Sequence, residues 1–141
     1  MFVVCFDQTS NFKVTCMARV LVVDDSSFLA EKIKGYMESK GHEVVGIAED
    51  GVQGLQSYMQ HKPDLVTLDL TMPNKDGHDC LMDILSFDAK AKAVIVSAID
   101  DKKLIMDCLK LGAKGFVEKP LKFKNAEFCT VFDSAINDAL H

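Results

Sequence analysis

Short apolar runs separated by stretches of helical periodicity constrain the fold of this chain more than any other feature. The runs cover residues 20–23, 43–48, 65–68, 93–97 and 115–118. Each is too short for a buried helix and contains β-branched residues, which is typical of strands in a covered parallel sheet. Between the runs, apolar residues recur at helical spacing, as at Leu29, Ile33 and Met37. This alternation predicts a single α/β domain in which right-handed crossovers build a doubly wound, five-stranded parallel sheet, a (βα)5 architecture.

Polar residues just before the helical stretches predict where the helices begin. The pair Ser26-Ser27 is expected to supply the N-cap of the first helix and Asp50 that of the second, because their side-chain oxygens can accept a backbone N–H of the first turn. In the second helix we expect Val52, Leu55 and Met59 to face the core, since they recur at helical spacing.

The first seventeen residues do not fit this alternation. We expect residues 1–17 to be a poorly ordered N-terminal extension and residues 18–141 to form the folded domain. The apolar run at residues 2–6 is too short for the core of a signal peptide, and an added edge strand is the structured alternative. No linker or second domain is expected after the final helix.

Composition excludes several classes of function. The chain has 141 residues and a formal net charge of −5, so a general affinity for nucleic acid or for an anionic membrane is not expected. The five cysteines are odd in number and lack C-x-x-C spacing, which disfavours a disulfide framework or a zinc site. They indicate a protein of the reducing cytoplasm, and we expect it to be a monomer.

Polar side chains stand at the ends of four of the predicted strands. Asp24 and Asp25 follow the first strand, Asp69 the third, Ser97 closes the fourth, and Lys119 follows the fifth. Because the carboxyl ends of parallel strands lie at one edge of a sheet, we expect these five side chains to converge there.

Three crowded carboxylates repel one another and need a cation or protons to coexist. Oxygen ligands of this kind suit Mg²⁺, which is bound by one or two carboxylates together with waters and phosphate oxygens. A metal, an ammonium group and a hydroxyl around one carboxylate make a site for a phosphoryl group on that carboxylate. Asp69, on the central strand, is therefore the expected nucleophile, with Asp24 and Asp25 as metal holders.

From about residue 17 to residue 140, the chain resembles a response-regulator receiver domain of the two-component systems, with its flavodoxin-like fold. The single-domain length and the form of the central motif make it similar to the stand-alone chemotaxis regulators of the CheY type. Four motifs carry the resemblance: Val22-Val23-Asp24-Asp25-Ser26, Leu68-Asp69-Leu70-Thr71-Met72-Pro73 with Gly77, Val96-Ser97-Ala98, and Gly112-Ala113-Lys114-Gly115-Phe116-Val117-Glu118-Lys119-Pro120.

The resemblance implies a role for each residue around the acceptor. Asp69 would accept a phosphoryl group from the phosphohistidine of a histidine kinase. Asp25, Asp69 and the backbone carbonyl of Thr71 would ligate Mg²⁺ directly, and Asp24 would hold a metal-bound water. Lys119 would pair with the phosphoryl oxygens.

The resemblance also implies a switch. Ser97 would move to hydrogen-bond the phosphoryl group, and Phe116 would turn inward in response. The Lys119–Pro120 peptide is commonly cis in such domains. The fourth helix, fifth strand and final helix, residues 100–140, would form the face that binds a downstream protein target, in chemotaxis or motility signalling.

Three other functions remain open from the residues alone. A phosphotransferase or phosphatase acting through Asp69 would usually carry a second acid two residues later, where this chain has Thr71. A flavin or nucleotide binder would need a phosphate loop rich in glycine and hydroxyl groups, whereas Asp24 and Asp25 repel phosphate. A docking module that has lost phosphorylation is disfavoured by the complete set of polar residues.

Overall fold

The computed structural model describes residues 18–72, 74–98 and 102–141, together with the backbone of two strands at residues 2–6 and 12–16. The strands are β1 (Phe2–Phe6), β2 (Phe12–Cys16), β3 (Arg19–Val23), β4 (Glu43–Ala48), β5 (Leu65–Leu68), β6 (Ala93–Ser97) and β7 (Gly115–Glu118). The helices are α1 (Ser27–Ser39), α2 (Gly51–His61), α3 (Gly77–Phe87), α4 (Lys102–Leu111) and α5 (Ala126–Leu140).

Five of the strands form one parallel sheet in the order β4-β3-β5-β6-β7. The prediction of a doubly wound five-stranded sheet is confirmed, and β5 is its central strand. The expected caps of α1 and α2 are also confirmed, because Ser26 accepts the N–H of Leu29 and Asp50 accepts that of Gln53.

Helices cover both faces of the sheet and divide the core into two layers. On one face, α1 and α5 pack residues such as Ile33 and Phe132 against the strands. On the other, α2, α3 and α4 contribute Tyr58, Ile84 and Ile105. Burial of both faces explains why the strands are nearly continuous apolar runs. Among the described residues, the buried polar side chains other than Thr67 of β5 lie at or just beyond the carboxyl ends of the strands.

The predicted inward face of α2 is wrong at two positions. Val52 and Met59 are 43% and 45% exposed, whereas Gly51, Gly54 and Tyr58 are buried. A Cβ at Gly54 would lie 3.0 Å from the Sγ of Cys80 and 3.2 Å from Val23. The helix thus approaches the sheet and α3 through its glycines, and this close approach turns Val52 and Met59 outward.

At the N-terminus, β1 and β2 pair antiparallel as a separate two-stranded sheet. In the part of the chain that the structure describes, neither strand joins the five-stranded sheet, as the alternative of an added edge strand would require. The prediction that residues 1–17 are poorly ordered stays a prediction, since residues 1, 7–11 and 17 and the strand side chains lie outside the description.

Two cysteines are packing residues of the core. Cys80 and Cys108 are buried free thiols, and burial raises the pKa of Cys80 to about 12 and that of Cys108 to about 11. Both therefore stay protonated and apolar at neutral pH. Within the described ranges, every helix is too short or too polar to cross a membrane.

Candidate functional site

The register of the sheet brings the first two acids together. Val23 on β3 pairs with Leu68 on β5. The residues that follow them, Asp24 and Asp69, therefore lie side by side at the ends of neighbouring strands. The N–H of Asp69 donates to the carbonyl of Val23 at 3.0 Å and fixes this arrangement. Asp24 is 1% exposed and Asp69 is 5% exposed, whereas Asp25 is exposed. The site is therefore a recess whose open side carries Asp25.

Lys119 is the cation of this recess. Its Nζ lies 2.7 Å from Oδ2 of Asp24 and 3.3 Å from Oδ2 of Asp69. The N–H of Lys119 donates to the carbonyl of Ser97, which fixes the residue beside the end of β6. The peptide between Lys119 and Pro120 is cis. One nearly buried ammonium thus bridges two carboxylates from different strands.

The other oxygen of Asp69 accepts two hydrogen bonds. The buried Ser97 hydroxyl donates to Oδ1 at 2.9 Å, and the N–H of Thr71 donates to the same atom at 3.3 Å. With Lys119 on Oδ2, both oxygens of Asp69 are oriented by neighbouring groups. The structure thus brings together all five polar residues that the sequence placed at the strand ends.

The recess brings three carboxylates together with the ammonium group of Lys119. Burial makes the excess negative charge unfavourable for folding. One carboxylate oxygen from each of Asp24, Asp25 and Asp69 lies within 4.8 Å of the others. Burial raises the pKa of Asp24 above its ordinary value, although hydrogen bonds from Lys119 and from the N–H of Ser26 oppose this shift. A cluster of hard oxygen ligands with uncompensated negative charge fits Mg²⁺.

We expect Asp24→Asn to stabilise the protein when Mg²⁺ is absent. Because the folded-state pKa of Asp24 lies above its unfolded value, its ionised form costs folding free energy, and this cost disappears as the pH falls through the folded pKa. Urea unfolding with chelator should therefore give the variant a higher midpoint at pH 7, and the difference should shrink towards pH 4. An equal or lower midpoint at pH 7 would contradict this electrostatic account.

Two features of the site were not anticipated from the sequence. Gly77, identified from the sequence only as part of a motif, lies against the backbone of Asp69, since a Cβ there would be 2.2 Å from the carbonyl oxygen of Asp69. Asn74 donates a hydrogen bond to Asp50, which the sequence identified only as a helix cap. Besides the motif that contains Gly77, the sequence offers one signal, which is that Gly51 and Gly77 each follow an aspartate at the start of a helix.

Of the two proposed switch residues, Ser97 lies in the recess and Phe116 lies outside it. Phe116 on β7 is half-buried and packs against the core layer of α2, α3 and α4. Pro73 and residues 99–101, at the start of the expected output face, lie outside the described residues.

The sequence of the chain is similar to that of a known protein family. Residues 20–128 match the model of the response regulator receiver domain. The chain is 48% identical over 108 residues to the chemotaxis protein CheY of Treponema pallidum, covering 75% of each chain. It is 41% identical over 104 residues to the chemotaxis protein CheY of Bacillus subtilis, covering 74% of this chain and 87% of the relative. The chain belongs to the response regulator receiver family and is homologous to CheY.

Solved structures are similar over the same region. The CheX-CheY-BeF3-Mg²⁺ complex of Borrelia burgdorferi contains a chain matched with a TM-score of 0.76 at 36% identity, over 84% of this chain and 87% of that one. The response regulator domain of Thermotoga maritima CheB matches with a TM-score of 0.74 at 31% identity, over 88% and 94% of the two chains. A receiver domain of this type is a signalling domain, not a classical enzyme.

Proposed function

We propose that this protein is a phosphorylation-controlled response regulator of chemotaxis or motility signalling, with Asp69 as its phosphoacceptor. The observation that carries the proposal is the environment of Asp69, whose two oxygens receive Ser97 and Lys119 beside a cluster of two further acids. The phosphodonor is a histidine kinase, and the protein acts in the cytoplasm. Homology to CheY supports the chemotaxis assignment.

Mg²⁺ completes the site in this proposal. Asp25, Asp69 and the backbone carbonyl of Thr71 hold the ion directly, and Asp24 holds one of its waters. The clustering of the three carboxylates supports this ligand set, as does the presence of Mg²⁺ in the Borrelia burgdorferi CheY complex. The ion supplies positive charge that offsets the repulsion between the acceptor carboxylate and the incoming phosphoryl group.

Phosphoryl transfer forms a bond between phosphorus and an oxygen of Asp69 and breaks the phosphorus–nitrogen bond of the donor histidine. Ionised Asp69 is the nucleophile and needs no general base, because a carboxylate carries no proton to remove. Lys119 already contacts the acceptor carboxylate and neutralises charge on the phosphoryl oxygens as they arrive. The imidazole of the kinase leaves with the electron pair of the broken bond.

The phosphoryl group is read out by a change in packing. Ser97 now donates to Asp69, and phosphorylation offers its hydroxyl a phosphoryl oxygen instead. In the proposal this movement of Ser97 makes room for Phe116 and shifts the equilibrium of the face formed by α4, β7 and α5. Exposed apolar residues on that face, Met106 and Val131, support its use in binding a downstream protein.

Labelling with a small-molecule phosphodonor tests the proposal. Incubation with acetyl phosphate and Mg²⁺ should add one phosphoryl group to the wild-type protein, measured as intact mass. The adduct should be absent from Asp69→Asn and after chelation of Mg²⁺. An unlabelled wild-type protein would refute the proposal, and sustained turnover of acetyl phosphate far beyond one equivalent would favour the phosphatase alternative.

A further inference from the structure

The loop that follows the phosphoacceptor is attached to the start of α2 by two hydrogen bonds. Nδ2 of Asn74 donates to Oδ2 of Asp50 at 2.9 Å, and the N–H of Gly51 donates to the carbonyl of Lys75 at 3.1 Å. Asp50 is 8% exposed, and its other oxygen accepts the N–H of Gln53 at 2.8 Å. The two oxygens of Asp50 thus serve different elements, one capping α2 and the other holding the loop.

The backbone of the loop is shaped for this attachment. Asn74 has a φ of 66°, a left-handed conformation that asparagine tolerates better than most residues. A Cβ on Gly51 would lie 2.4 Å from the carbonyl oxygen of Lys75, so the close approach requires glycine there. The side chain of Lys75 forms an ion pair with Asp83 on α3. The loop is therefore attached to both α2 and α3.

Thr71 lies in the same loop and depends on it for position. Its N–H contacts Oδ1 of Asp69, and its carbonyl is the backbone metal ligand of the proposed function. A backbone carbonyl has no side-chain torsions of its own, so only the conformation of its loop can aim it at an ion.

We propose that Asp50 and Asn74 are positioning residues for the Mg²⁺ site, and that their hydrogen bond fixes the loop that carries Thr71. This inference rests on the proposed function, because it requires that the site binds Mg²⁺. Without the bond, the loop samples more conformations, and ion binding must bear the entropic cost of ordering it. Partners that orient metal ligands commonly govern metal affinity in this way.

The test removes the amide while keeping the backbone conformation. Asn74→Gly tolerates the positive φ and deletes Nδ2. Urea unfolding at a series of Mg²⁺ concentrations gives the stability without metal and, from its increase, the Mg²⁺ dissociation constant. We expect the dissociation constant to rise about fivefold, the equivalent of one hydrogen bond. An unchanged constant would overturn the inference.

A control and a rescue separate positioning from general destabilisation. Asn137→Gly makes the same substitution at an exposed position near the end of α5, and should lower stability without changing the dissociation constant. The double variant Asp50→Asn/Asn74→Asp reverses donor and acceptor at constant net charge and should restore the constant to within about twofold of wild type. A double variant that binds Mg²⁺ as weakly as Asn74→Gly would count against the hydrogen bond.

The wild-type titration separates failure of the proposed function from failure of the positioning role. If Mg²⁺ does not stabilise the wild-type protein, the proposed function fails and this inference fails with it. If Mg²⁺ stabilises wild type and Asn74→Gly with equal dissociation constants, only the positioning role of Asp50 and Asn74 is refuted.

Discussion

Alanine at position 77 is expected to lower the free energy of unfolding by about 3 kcal/mol, at the upper end of the cost of overpacking. The added Cβ would lie 2.2 Å from the carbonyl oxygen of Asp69 and 2.7 Å from Cα of Leu70. Both are backbone atoms, so no side-chain rotation can relieve the contact, and the backbone of residues 69–70 or of α3 must shift. Urea unfolding measures the loss, and labelling by acetyl phosphate should slow because Asp69 is displaced.

Gly35→Ala is the matched control for this prediction. Gly35 lies within α1, and a Cβ there would meet nothing within 4 Å. Alanine at that helical position should raise the free energy of unfolding by about 0.5–1 kcal/mol, because it restricts the unfolded chain and favours the helix. If Gly77→Ala proved as stable as wild type, the close approach between α3 and the backbone of Asp69 would be wrong.

The second large effect is expected when the cation of the site is removed. Lys119→Met keeps the length of the side chain but leaves Asp24 and Asp69 buried without their ammonium partner. Loss of one partner of a buried ion pair costs about 3 kcal/mol, because the remaining charge is uncompensated. Urea unfolding with chelator should show this loss at pH 7, and added Mg²⁺ should recover part of it by replacing the missing positive charge.

Lys122→Met provides the comparison for Lys119→Met. Lys122 is an exposed lysine three positions further along the chain, so the same substitution should change stability by no more than about 0.5 kcal/mol. Equal effects of the two substitutions would mean that Lys119 does not offset the charge of the buried acids. We also expect Lys119→Met to be phosphorylated more slowly, because it lacks the ammonium charge that neutralises the phosphoryl oxygens.

The fold was predictable because its signals are local. The strand limits at Leu65–Leu68 and Ala93–Ser97 were predicted to the residue, since an apolar run between polar residues marks both ends of a buried strand. The convergence of Asp24, Asp69 and Lys119 was predictable for a related reason. Once the strands are parallel and sequential, the residues that follow them must meet at one edge.

The orientation of α2 and the contacts between loops were not predictable, because they depend on distances between elements that sequence periodicity does not reveal. Val52 and Met59 have the spacing of inward residues, and only the approach of α2 through Gly54 exposes them. The bond between Asp50 and Asn74 joins residues 24 positions apart, and each has an ordinary local role as a cap or a turn residue. Local periodicity identifies elements, whereas contacts between loops follow from how the elements pack.

Locating the phosphoryl group tests the central claim most directly. After labelling with acetyl phosphate and Mg²⁺, borohydride reduces an aspartyl phosphate to homoserine, and mass spectrometry of the digested protein identifies the position. We predict homoserine at position 69, and the same product after transfer from a phosphorylated histidine kinase. Homoserine at position 24 or 25, or its absence from position 69 of a labelled protein, would contradict the assignment of Asp69 as the acceptor.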